Sequence, residues 1–193
     1  YLRGRFRISG YVLRRGLPPI SVAATGVEIE PLPPESDDLR GRREAGIADL
    51  ERAVQLGGTL LAQDLRWARA AVAFYAKGNS GADECLRLLL GLANPEALNL
   101  RGMVLYQLGR FDECAEAFTE LVRQWPCDDV GRCCLGLARH ARAMQGRARG
   151  EDTRAQLRAA IEDYRTAMLL DPLSPLPSRS NRGLAHLHLG LVT

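Results

Sequence analysis

One pattern occurs twice in this chain and restricts its fold more than any other feature. GIADLERAVQL at 46–56 and AIEDYRTAMLL at 160–170 have the same order. A small residue comes first, then an apolar one, any residue, an acid, a large apolar residue, and an alanine at the same offset. Gly46, Leu50 and Ala53 recur at helical spacing, as do Ala160, Tyr164 and Ala167. A helix that alternates small and large residues along one face accepts a close crossing by a neighbour. A chain that repeats such a helix buries its apolar face by stacking similar units.

The stretch Ala97–Pro126, ALNLRGMVLYQLGRFDECAEAFTELVRQWP, gives the unit in full. Leu98, Leu100, Leu105 and Leu108 supply the apolar faces of a first helix, and Gly102 is a flat spot where another backbone can approach. A tight turn is expected at Gly109-Arg110. Cys114, Ala115, Phe118, Leu121 and Val122 then repeat at helical spacing in a second helix, which Pro126 ends. Leu98, Gly102, Gly109, Phe111, Cys114, Phe118, Leu121 and Pro126, in this order and spacing, resemble a tetratricopeptide repeat. That repeat is a helix–turn–helix unit of about 34 residues that stacks into a solenoid.

The resemblance implies an all-α chain, an α-solenoid of tetratricopeptide-like helix–turn–helix repeats with a proline-rich loop insertion. Residues 1–193 form one array: a divergent repeat at 1–58 carrying the insertion 16–38, a repeat at 59–95, the best-matching repeat at 96–128, a repeat at 129–174 with an insertion at 145–153, and a partial repeat at 175–193. Small residues fall where helices should cross: Gly4, Ala71, Gly102, Gly136 and Gly183 on first helices, Gly46, Cys85, Cys114 and Ala160 on second ones. Leu50, Leu89, Phe118 and Tyr164 are the large residues expected to fill the space between units.

Tyr1–Arg15 is basic and amphipathic, with five arginines and no acid. It reads as the first helix of a repeat. Gly16–Asp38 differs: Pro18-Pro19, Pro31 and Pro33-Pro34 block helix, and five acids repel one another. A loop is expected there, with one short strand around Val27-Glu28-Ile29, and Ser36, Asp37 or Asp38 as the N-cap of the following helix. Gly57-Gly58 should close that helix. Helices follow at Leu65–Lys77, Ala82–Leu92, Asp129–Met144 and Ala155–Leu170. The stretch Gln145–Thr153 should lengthen a helix or form a loop.

With 193 residues, 46% hydrophobic and 25% charged, the chain can bury a substantial core. Its net charge of +3 is too small to argue for nucleic acid. No apolar run approaches the roughly 18 residues of a membrane span, and no apolar segment resembles a secretion signal. Five cysteines, odd in number and without paired CxxC spacing, favour free thiols in a reducing compartment. The expected address is the cytoplasm, with nucleus and cilium also compatible.

No catalytic, cofactor or metal site is expected. Cys127, Cys133, Cys134 and His140 lie close in sequence, but neighbours on one helix point apart and do not converge on a tetrahedral ion. His186 and His188, two apart, face different directions. Cysteine–histidine pairs occur without a glycine-rich elbow or an orienting acid. No glycine-rich phosphate loop follows a strand.

The resemblance instead implies a groove. First helices of tetratricopeptide arrays line a concave face that receives peptides or partner helices. By position, that face should present Ala68, Val72, Tyr75, Asn99, Met103, Tyr106, Gln107, Cys133, Leu137 and His140. Tyr75, Met103, Tyr106 and Leu137 would be apolar anchors, with Asn99, Gln107 and His140 as polar points. A subset of the family grips a C-terminal carboxylate with lysines, asparagines and an arginine. Here Ala68, Cys133 and Cys134 stand at those places, so an apolar segment or amphipathic helix of another protein is the expected ligand. The alternatives are a structural segment of a longer solenoid and an arginine-rich module on nucleic acid or anionic surfaces.

Overall fold

A computed structural model describes residues 37–56, 62–173 and 178–190. The expectations for Tyr1–Arg15, for the proline-rich insertion up to residue 36, for the strand at Val27–Ile29 and for Gly57-Gly58 lie outside these residues. Every regular element described is helical: α1 (Asp37–Leu56), α2 (Ala62–Lys77), a 3-10 turn (Gly78–Gly81), α3 (Ala82–Leu89), α4 (Pro95–Gln107), α5 (Phe111–Gln124), α6 (Asp129–Arg147), α7 (Arg154–Leu170) and α8 (Ser178–Gly190). They fall into two compact units, α1–α3 and, from Ala93 onward, α4–α8. Within each unit the helices pack in chain order, each on the next, which is the all-α solenoid arrangement. None of the described helices is long and apolar enough to cross a membrane.

The first unit is held by α2, whose buried residues are Ala68, Ala70, Ala71, Ala73 and Phe74. Cys85 and Leu89 of α3 are buried with them. Arg66 of α2 donates to the carbonyls of Leu88 at 3.0 Å and Leu90 at 2.7 Å, which satisfies the frayed end of α3. That end comes at Leu89, three residues before the expected Leu92.

The second unit begins where Asn94 caps α4, its side chain accepting from the Ala97 amide at 2.8 Å with Pro95 behind it. Gly109 has φ +71°, and the backbone bonds Arg110 N to Leu105 O (2.9 Å) and Gly109 N to Tyr106 O (3.0 Å) close the turn. This Schellman closure needs the left-handed residue that glycine adopts without strain. The same device ends α6. That helix runs past the expected Met144 to Arg147, and Gly150 (φ +78°) turns the chain as Glu151 N bonds Gly146 O. The insertion at 145–153 therefore splits into a helical extension and a defined turn.

Two glycines let the helices close on one another. An added Cβ at Gly102 would lie 2.5 Å from the Phe118 ring, and one at Gly136 would lie 2.8 Å from the Tyr164 ring. Both rings are fully buried. Cys114 Sγ also donates to Gly102 O at 3.2 Å, across the same crossing. Gly183 departs from the pattern. It is exposed, with nothing within 4 Å of an added Cβ, so it is not at a crossing among the described residues.

Candidate functional site

The residues expected to line a single strip are not one open surface. Tyr75 belongs to the first unit, where it is half-buried against Phe74 with ring centroids 5.4 Å apart. In the second unit Met103, Tyr106, Leu137 and His140 are buried. Tyr106 meets Phe111 edge-on at 5.2 Å, and His140 meets His188 of α8 at 2.8 Å. Asn99 and Gln107 are half-buried. Position in the repeat gives the face a residue lies on, but neighbouring helices cover that face.

An open concavity lies in the first unit. A groove of about 620 Å³ is lined by Glu51, Val54 and Gln55 of α1, Arg69, Val72, Ala73 and Lys77 of α2, and Glu84 and Leu88 of α3. Val72 is the one residue of the expected strip that it contains. Its apolar part is Val54, Val72 and Leu88, and its rim carries acids and bases together. Lys77 Nζ and Glu84 Oε2 pair at 2.8 Å, and this bond holds the Glu84 carboxyl below its usual range. The pair is solvent-exposed, so it shapes the rim more than it stabilises the fold.

A polar joint in the second unit was not legible as a site. Asp163 of α7 is buried, with Arg139 Nη1 at 2.6 Å and Arg132 Nη1 at 3.5 Å, both from α6. Burial pushes its carboxyl up, and the two guanidiniums pull against that shift. Arg142 ties α6 to Asp112 at 2.8 Å and to Glu151 at 3.0 Å. The arrangement is a fastening between helices.

The four buried thiols are poor nucleophiles. Burial pushes Cys85 and Cys114 up to about 12 and Cys133 up to about 11, with Ser178 pulling slightly against the last, and it raises Cys134 further still. All five cysteines are free, and Cys127 is the exposed one. No group of three or more histidine, cysteine or acidic side chains among the described residues is placed to hold a metal ion.

The turn at Gly109, the Gly102–Phe118 crossing and the capped start at Asn94 together make one helical hairpin of defined geometry. Residues 95–124 match the family model of the tetratricopeptide repeat. The tetratricopeptide hairpin is thus α4 and α5, and the match covers them from the N1 proline to the last residue of α5. Neither a curated protein nor a solved structure matches the chain. A tetratricopeptide repeat points to protein–protein interaction in general.

Proposed function

We propose that the chain is a binding protein, not an enzyme, that takes up a short segment of another protein in the groove between α1, α2 and α3. The observation that carries this reading is the mixed lining of that groove. Val54, Val72 and Leu88 offer an apolar floor, while Glu51 and Glu84 stand with Arg69 and Lys77 around it. A uniformly charged ligand such as a nucleic acid backbone would meet repulsion from the two acids. An amphipathic peptide with apolar anchors and charges of both signs suits the floor and the rim together. The tetratricopeptide hairpin supports a protein ligand by family likeness. In this reading the strip built on Met103, Tyr106, Leu137 and His140 serves mainly as packing, with Asn99 and Gln107 at its margin.

The test is to select peptides from a random display library with the full chain, then measure their affinity for Val72→Asp and for an exterior control, Leu169→Asp. Selected peptides should carry apolar residues flanked by both charges, and should lose about tenfold or more in affinity with Val72→Asp, the effect of spoiling a central contact. Peptides that bind Val72→Asp and the wild type equally, with both folded by circular dichroism, would remove the groove from consideration.

A second reading is supported by a separate observation. Leu169 and Leu173 are 68% and 93% exposed at the α7–α8 connection, and Leu187, toward the far end of α8, is 48% exposed. Large exposed apolar side chains at the end of α7 and on α8 suit a segment that is itself stacked within a longer helical array.

A further inference from the structure

His140 on α6 and His188 on α8 are both fully buried, and His140 Nε2 lies 2.8 Å from His188 Nδ1. On its other side His140 Nδ1 faces the Tyr164 hydroxyl of α7 at 3.5 Å. His188 Nε2 and Arg147 Nη1 are buried without a hydrogen-bond partner among the described residues. A nitrogen–nitrogen contact of this length needs one N–H and one bare lone pair, so a single proton is shared between the rings. Two protonated rings would set two donors and two positive charges against each other.

Among the described residues, none is placed to balance such charge. The charges that act on the pair are those of the other ring and of Arg147, and both oppose protonation. Tyr164 is held neutral by burial, as are Cys133 and Cys134 beside it. The nearby carboxylate of Asp163 is committed to Arg139 and Arg132. Burial pushes His140 down to about 3, and lowers His188 as well.

The pair sits where α8 meets α6. That helix packs mainly on α7 and reaches α6 at few points. Besides the imidazole bond, Ser178 at its start hydrogen-bonds the Cys133 thiol. Cys133, Leu137 and His140 recur along one face of α6 at helical spacing.

We propose that the His140–His188 pair is an acid-operated latch: it holds α8 on α6 while both rings are neutral, and proton uptake releases α8 from α6 and uncovers the α6 face that carries Cys133, Leu137 and His140. The proposal stands apart from the groove of the first unit. Its sign follows from linkage. A released histidine takes its proton near the ordinary 6.5, whereas docked His140 resists until about 3. Docking is therefore fully favoured above pH 6.5 and weakens progressively as the pH falls toward 3. Between pH 7 and pH 5 a single such histidine shifts the docked-to-released ratio roughly 25-fold, and both together shift it more.

Hydrogen exchange by mass spectrometry on the full chain tests this, with rates corrected for the intrinsic pH dependence and the α4–α5 hairpin as internal reference. Protection of Ser178–Gly190 should fall from pH 7 to pH 5 while that of Pro95–Gln124 holds. In His188→Phe, which keeps an aromatic ring and removes the proton site, the fall should shrink or vanish. Constant α8 protection over this range would overturn the latch, as would an unchanged fall in His188→Phe. Should His188→Phe fail to fold, imidazole titration of the wild type by NMR decides. Ring titrations that coincide with loss of α8 protection support the latch, and rings that titrate while α8 stays protected overturn it.

Discussion

The two copies of the repeated pattern meet different fates. In α7, Ala160 and Tyr164 are fully buried, and Asp163 is buried between two arginines. In α1, Gly46 is buried, but Leu50 is only half-buried and Asp49, the counterpart of Asp163, is exposed. The difference comes from what the neighbour supplies. Helix α6 sets Gly136 under the Tyr164 ring and brings Arg132 and Arg139 to the acid. Helix α2 buries mostly alanines, and a groove stays open beside α1. The pattern decides which residues share a face; the adjacent helix decides how deeply that face is sealed.

The contrast is tested most severely by removing its largest ring. Tyr164→Ala should cost about 3–5 kcal/mol of stability, in the range for buried aromatics. Leu50→Ala should cost only about 1 kcal/mol, because a half-exposed leucine has little more burial to lose. Denaturant melts of the two variants giving equal losses would erase the distinction.

Next come the crossings. Gly102→Leu and Gly136→Leu should each destabilise by about 1–3 kcal/mol or more, since the added side chain must displace a fully packed ring. Gly183→Leu, on open helix surface, should leave the melting temperature unchanged or raise it slightly, as leucine is the better helix former. A drop for Gly183→Leu equal to the other two would place a helix crossing there after all.

Comparable with the crossings is the acid. Asp163→Ala should cost about 1.5–3 kcal/mol, the usual loss for hydrogen bonds to a charged group. Its counterpart Asp49→Ala should stay within about 0.5 kcal/mol, as surface substitutions do. The smallest effect is expected at the start of the tetratricopeptide hairpin, where Asn94→Ala removes one cap and about 1 kcal/mol. Exchange protection at the first turn of α4 should report it; an unaffected Ala97 amide would mean the cap is idle.

The sequence made the helices and their close crossings readable because those depend on local spacing. Gly102 with Phe118 and Gly136 with Tyr164 follow from a small residue and a ring in successive helices. Helix ends were less readable, since Arg66 and the Gly150 turn fix them from outside the helix or beyond the periodic stretch. Burial of the expected strip could not be read at all. Met103, Tyr106, Leu137 and His140 hold the right face, but which neighbour covers a face is a tertiary fact. His188 and Asp163 were missed for the same reason. Asp163 in fact shares its motif with an exposed acid, so repetition alone points the wrong way there. The groove residues Glu51, Arg69 and Glu84 carry no motif, and only the packing of three helices assembles them.

The contact between Gly102 and Phe118 also bears on how such a hairpin can change over time. The ring occupies the space a side chain at position 102 would need, so neither residue is free to vary by itself. Enlarging the glycine alone forces overlap, and shrinking the ring alone leaves a void. Two residues on separate helices thus form a single unit of inheritance, and this crossing drifts most readily by paired steps. The Glu120–Arg123 pair on the outer surface of the same hairpin carries no such constraint and can drift one residue at a time.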